Sequence, residues 1–194
     1  MNRTLLFPTA IWSDKFEIDN VRLTEYALNL KKDGGIVLHE LDGWRTTDND
    51  IIFSAEFSDL RKLIDDRLEK IKLEVGFSDD FRFVLKTGWI YITNRGGWHP
   101  PHNHPEGDIS CAYYIKVPQD SNSGFGINDP RKQNTWRALA MGAQSHTPFT
   151  VGRFATVPQT GDFLVFPSWL EHFVSPSMSD DDRIMVTLNY KLEK

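Results

Sequence analysis

The chain has 194 residues, the length of one domain, so it is read as a single unit over 1–194. Hydrophobic residues at 40% and charged residues at 25% are globular values and exclude wholesale disorder. With 22 basic against 27 acidic residues the net charge is −5, which argues against a phosphate-gripping surface and so against nucleic acid as a partner. The single Cys111 rules out an internal disulfide and the thiolate pairs of most structural zinc sites, and fits a reducing, cytoplasmic compartment. No apolar run approaches the ~20 residues of a membrane span. The polar start of the chain does not resemble a secretory segment.

The first eighty residues predict helices. Asn20 is placed to cap one whose apolar positions Val21, Leu23, Ala27, Leu28 and Leu30 fall largely on one side, and Gly34-Gly35 stops it in a left-handed conformation. A second helix is expected from about Ala55 to Val75, with Phe57, Leu60, Ile64, Leu68 and Ile71 three or four apart and charged residues on the other face. Both read as helices packed outside a sheet. From Phe81 onward the pattern changes to short alternating runs: 81–86, 89–93, 110–117, 162–166 and 184–190. No helical pattern fits between them, so residues 81–194 predict an antiparallel sandwich or barrel flanked by the helices of 1–80. The polar, aperiodic stretch 119–150 predicts a lid over substrate, with Arg131, Lys132 or Arg137 meeting an acidic or phosphate-bearing group.

Three of the six histidines lie in Trp98-His99-Pro-Pro-His102-Asn-His104-Pro-Glu106-Gly-Asp108. In an extended segment His102 and His104 point to one face, as do His104 and Glu106, so a shared ion is within reach of either pair. A third ligand must come from elsewhere. His172, which closes Gly161-Asp-Phe-Leu-Val-Phe-Pro-Ser-Trp-Leu-Glu-His172 after a strand and a proline turn, is the natural choice. His39 and His146 sit in unpatterned context and read as surface residues. Imidazoles and carboxylates without thiolates suit iron or manganese, although affinity order alone does not exclude zinc or nickel. Arg183, eleven positions after His172, opens the last strand and is placed to fork onto a carboxylate. Of Tyr113 and Tyr114, alternation sends one inward, where its hydroxyl can reach the same carboxylate. Trp98 and His99 are expected to border the pocket.

With these residues in hand, the sequence resembles the Fe(II)- and 2-oxoglutarate-dependent oxygenases, in particular a group of small members. The resemblance rests on Leu6-Phe-Pro-Thr-Ala-Ile-Trp12, on His102-Asn-His104-Pro followed by Ser110-Cys-Ala-Tyr-Tyr, on Gly161 to His172, and on Arg183 ahead of Asn189. It implies a double-stranded β-helix, with Fe(II) held by His102, a second ligand and His172. It also implies 2-oxoglutarate chelating that iron with its distal carboxylate on Arg183, and Tyr113, Tyr114 and Asn189 as neighbouring cofactor-binding positions. The implied reaction hydroxylates a small molecule or peptide with dioxygen, releasing succinate and carbon dioxide. A homodimer is compatible with this reading. The wider superfamily has His-x-Asp or His-x-Glu where this sequence has His102-x-His104. His104 is preferred as second ligand over Glu106 or Asp108, because Pro105 should break the strand and leave Glu106 in a turn.

A rival from another class is the cupins, also jelly rolls. Gly96 to His102, Asp108, and Gly161 to Pro167 to His172 match their two motifs loosely. That reading gives a metal-dependent isomerase or dioxygenase, or a binding module, without 2-oxoglutarate. Trp169 stands where cupins usually have Gly, and a cupin has no need of Arg183; both points favour the oxygenase.

Overall fold

The computed structural model describes residues 2, 4, 6–131, 141, 142, 144, 145, 147 and 151–194. In chain order these form β1 (Trp12–Lys15), α1 (Asn20–Asp33), β2 (Ile36–Leu38), β3 (Gly43–Arg45), α2 (Ser58–Glu74), β4 (Arg82–Thr93), β5 (His99–His102), β6 (Ile109–Lys116), β7 (Phe125–Asn128), β8 (Arg153–Thr156), β9 (Asp162–Pro167), β10 (His172–Val174) and β11 (Arg183–Glu193). Among the described residues a seven-stranded sheet has the order β1-β9-β6-β11-β4-β3-β2 and a four-stranded sheet the order β5-β10-β7-β8. Neighbouring strands run antiparallel throughout.

Side-chain alternation divides the large sheet into two faces, each buried against a different partner. Ile90, Ile92, Cys111, Tyr113, Ile115, Val186 and Leu188 pack against Leu23 and Ala27 of α1 and Leu60, Ile64, Leu68 and Ile71 of α2. The residues between them, Tyr91, Ala112, Tyr114 and Met185, face Phe125 and Ile127 of the small sheet. The helix stripes predicted from spacing are therefore the covering layer. Ile64 is fully buried at its centre. Ile64→Ala should cost ~2–5 kcal/mol, the usual range for emptying such a site. Chemical denaturation measures it, and a loss below ~1 kcal/mol would show that α2 is not a packed layer.

Several local features differ from the sequence expectation. Asp19, not Asn20, caps α1, its carboxylate accepting from the Arg22 amide at 3.0 Å. Asn20 is drawn instead to the Tyr113 hydroxyl, which donates to Oδ1 at 2.8 Å. Gly34 ends the helix at φ 150° and ψ −146°, a mirrored extended conformation rather than the left-handed helical one. Gly35 follows at φ 109°, and the Trp44 indole occupies the space a Cβ there would need. Residues 1–80 supply three strands to the large sheet as well as the two helices. The runs 81–86 and 89–93 are one strand. Thr87 pairs with Asn189 and Leu85 with Tyr190, which leaves Lys86 as a bulge. That extra residue reverses the alternation, so Phe83 and Leu85 face the helices while Trp89 and Tyr91 face the other sheet.

The start of the expected lid is also a strand. β7 lies between β10 and β8, with Phe125 and Ile127 in the intersheet core. The Phe173 ring lies on Gly126, where any side chain would collide with it. The polar composition of 119–150 concealed these four residues because two of them are Gly and Asn. Beyond β7, the Arg131 guanidinium is paired with Asp129 at 2.9 Å. Lys132, Trp136, Arg137 and His146 lie outside the described residues.

Candidate metal centre

The small sheet carries the histidines. β5 ends at His102 and β10 begins at His172, and the two are register partners on adjacent antiparallel strands. Pro100 and Pro101 are tolerated within β5 because it is the edge strand of its sheet. His104 lies two residues beyond β5, where its amide donates to the Ser168 carbonyl at 2.9 Å and the Ser168 amide donates to Asp108 O at 3.1 Å. Ring nitrogens of His102, His104 and His172 all lie within 4.8 Å of one another. Ring centroids are 4.3 Å apart for His102–His172 and 5.0 Å for each pair with His104. Among the described residues these form the group of side chains able to hold a metal.

The backbone also fixes two tautomers. Nδ1 of His102 is 2.8 Å from the Pro100 carbonyl, and Nδ1 of His172 is 2.9 Å from the Leu170 carbonyl. A carbonyl only accepts, so Nδ1 carries the proton in each ring and the Nε2 lone pair is left for an ion. Burial holds the rings neutral as well. It pushes His99 and His104 down to about 4 and His172 to about 3, and lowers His102. Because the folded values lie below the unfolded 6.5, the unfolded chain binds more protons, and stability falls as pH drops below about 6.5 towards those values. The metal-free protein should therefore melt at progressively lower temperature from pH 6.5 to 5. A flat profile of melting temperature against pH would contradict neutral burial.

The histidines open on an intersheet cavity of about 340 Å³, lined by His99, Arg45, Trp89, Tyr91, Thr187 and Met185 among others. Arg183 lies on the same face of β11 as Met185 and is 1% exposed. Its Nη1 donates to the Met185 sulfur at 3.4 Å and its guanidinium carbon stands 5.0 Å from the Tyr114 ring centroid. Nε and Nη2 make no hydrogen bond of ordinary geometry, although the Tyr114 hydroxyl lies near enough to favour the charged guanidinium, and the buried Tyr91 hydroxyl, Thr93 Oγ1 and His99 Nδ1 are likewise unpaired. A buried guanidinium with unused donors carries a large desolvation cost, and a carboxylate placed against it supplies what is missing. Burial lowers the Arg183 pKa from its usual value, the direction expected of a cation without a counter-ion.

The other residues singled out in sequence sort clearly. Tyr114 is the inward tyrosine. Tyr113 is on the helix-covered face with its hydroxyl on Asn20, so it is no part of the cavity and the cofactor position implied for it is corrected. Asn189 is likewise committed elsewhere: Oδ1 accepts from Ser110 Oγ at 2.7 Å and Nδ2 donates to Thr87 Oγ1 at 3.0 Å. Ser110 Oγ also meets Ser168 Oγ at 2.8 Å, which links Asn189 to the loop that holds His104. Glu106 is exposed in the turn after Pro105, and the Asp108 carboxylate accepts from the Leu192 amide at 2.8 Å. His99 lines the cavity, while Trp98 is 39% exposed with its indole N–H on the Glu40 carbonyl, and His39 is exposed. Tyr91, Thr93, Trp89, Arg45 and Thr187 were missed. Thr187 follows by alternation from an inward Arg183 on the same strand, whereas Trp89, Tyr91 and Thr93 are turned inward by the pairing of β4 with β11.

Comparison with known proteins gives this geometry a family. The family described as "Putative 2OG-Fe(II) oxygenase" matches residues 87–189, more than half of the chain. No curated protein matches the sequence. Among solved structures, HygX from Streptomyces hygroscopicus with nickel, 2-oxoglutarate and hygromycin B bound is 14% identical with a TM-score of 0.62, over 94% of this chain and 82% of that one. A prolyl hydroxylase from Trichoplax adhaerens, in complex with a hypoxia inducible factor peptide fragment, is 14% identical with a TM-score of 0.62, over 93% and 82% of the two chains. The non-heme alpha ketoglutarate dependent carbocyclase SnoK from nogalamycin biosynthesis is 13% identical with a TM-score of 0.62, over 94% and 79%. At such identities the likeness concerns the fold, a double-stranded β-helix. Among the described residues no helix is long and apolar enough to cross a membrane. By the match that spans β4 to β11, the chain belongs to the 2OG-Fe(II) oxygenases, oxidoreductases that work with iron(II) and 2-oxoglutarate.

Proposed function

We propose that the chain, acting as one unit over 1–194, hydroxylates a small organic substrate, with His102, His104 and His172 as iron ligands and Arg183 as the anchor of 2-oxoglutarate. When bound, iron and 2-oxoglutarate supply oxidation of an unactivated C–H bond by dioxygen, with release of succinate and carbon dioxide. The chain's own residues then have defined tasks. His102 and His172 would offer their Nε2 lone pairs and His104 a ring nitrogen, three neutral ligands close enough to share one ion. Arg183 Nε and Nη2, with the Tyr114 hydroxyl, receive the distal carboxylate. Phe125, Phe166 and Trp89 give the cavity apolar wall beside the histidines.

The observation that carries this reading is Arg183, fully buried between the sheets with two donors unused. A cupin that binds only metal has no use for it. Anaerobic titration of the protein with Fe(II) and then 2-oxoglutarate tests the proposal. A visible metal-to-ligand absorption band is expected when both are present and with neither alone. No band at saturating concentrations of both would overturn it.

A further inference from the structure

Resting on the reading above, the cavity also carries information about the substrate. Its lining contains no acidic side chain. If the three ligands are imidazoles, they are neutral, unlike a set containing a carboxylate, so they leave the charge of a divalent ion undiminished. The two negative charges of 2-oxoglutarate then match that ion, and the guanidinium charges remain as an excess. One of these belongs to Arg183; the other is Arg45.

Arg45 ends β3, register-paired with Tyr91 of β4, and it lines the cavity with Trp89, Tyr91 and the histidines. Its guanidinium carbon sits 5.5 Å from the Trp89 ring centroid. Stacking on an aromatic face holds the planar group while leaving its N–H fork free to bind. Among the described residues no carboxylate or hydrogen-bond acceptor engages that fork, whereas Arg67, Arg95 and Arg131 each pair with an aspartate. Around it the walls are apolar: Leu38, Leu41 and Val174. A cavity of about 340 Å³ lies at the small-molecule end of binding sites.

We infer that Arg45 anchors an anionic group of the substrate, a carboxylate or phosphate, and that the substrate is a small organic acid whose apolar body lies against Leu38, Leu41, Trp89 and Val174. The charge excess favours such an acid over a neutral or cationic isostere before any specific contact forms. Arg45 is thus a specificity-determining residue, separate in role from Arg183. The sequence placed substrate anion binding at Arg131, Lys132 or Arg137; Arg131 is paired with Asp129, and Arg45 is the arginine that lines the histidine cavity.

The test uses the full chain with Fe(II) and saturating 2-oxoglutarate, kept anaerobic, and matched probes: hexanoate and hexanamide, 3-phenylpropionate and its amide, and phenyl phosphate and phenol. Binding is read by calorimetry and by perturbation of the visible band. The expected result is at least a tenfold preference for the acid in one or more pairs, lost to within twofold in Arg45→Gln and partly kept in Arg45→Lys. The pair that responds tells carboxylate from phosphate. Fe(II) and 2-oxoglutarate affinities should stay within twofold in both variants. Equal binding of acid and neutral partner in every pair, no binding of any probe, or a preference that survives Arg45→Gln would each overturn the inference. A large rise in the 2-oxoglutarate dissociation constant in Arg45→Gln would overturn it too, by making Arg45 the co-substrate's anchor. Failure of the wild-type protein to form the visible band at all would instead strike at the oxygenase reading itself.

Discussion

Replacing His172 with alanine is expected to weaken Fe(II) binding at least ~100-fold, since loss of a mere outer-sphere partner of a ligand already costs 10–100-fold. His172 is the hub of the cluster. It is paired with His102 across β5 and β10 and backed by Ile127 on the other side, and its Nδ1 proton is already committed to the Leu170 carbonyl. Removing it leaves two imidazoles that cannot enclose an ion. The fold should survive, because His172 is a neutral buried ring whose loss opens space beside a cavity that already exists. Metal analysis after gel filtration gives the answer, with the circular-dichroism spectrum as a control for folding. Iron retained at full occupancy would refute the three-histidine site. Glu106→Ala and Asp108→Ala complete the experiment. Glu106 is exposed in a turn and Asp108 is bound to the Leu192 amide, so both variants should keep their iron. Loss of iron in Glu106→Ala with retention in His102→Ala would move the site to His104 and Glu106.

Much of this arrangement was legible in the sequence, and the parts that were not share a physical cause. The two helix stripes and the alternating strands report burial on one or two faces, and burial is what periodicity encodes. The histidine spacing was readable because His102 and His104 are two apart near the end of one strand, and Pro105 forces the chain into a turn before Glu106. Pairing across the sheet was not readable. That β5 and β10 lie side by side, and so bring His172 onto His102, depends on contacts seventy residues apart in sequence. Tyr113 and Tyr114 show the limit of alternation: it says that one is inward without saying which. The choice is set by the packing of β6 against α1, where Asn20 takes the Tyr113 hydroxyl. Arg45 lay beyond sequence reasoning because it sits on a three-residue strand too short to show a period. β7 was hidden for the same reason, with Gly and Asn at two of its four positions.

Arg183→Leu should raise the 2-oxoglutarate dissociation constant at least ~30-fold while sparing Fe(II). A hydrogen bond to a charged group contributes about 1.5–3 kcal/mol, and each 1.4 kcal/mol is a factor of ten in affinity. Two unused donors, Nε and Nη2, are available to a single carboxylate. Iron should be unaffected, since the guanidinium meets Met185 and the Tyr114 ring and makes no contact with the three histidines. Stability offers a second, independent readout. In the absence of co-substrate the wild-type protein holds a buried cation with no counter-ion, and burying such a charge is costly. Leucine removes that cost and fills part of the space, so the metal-free variant should melt at or above the wild-type temperature. Saturating 2-oxoglutarate with a divalent metal should then raise the melting temperature of the wild type and leave the variant nearly unmoved, because only binding to the folded state stabilises it. Arg183→Lys should recover part of the affinity, as a point charge without the planar fork. A variant that binds 2-oxoglutarate as well as wild type would remove Arg183 from the site. A variant that is destabilised without ligand would show instead that the guanidinium is satisfied within the protein.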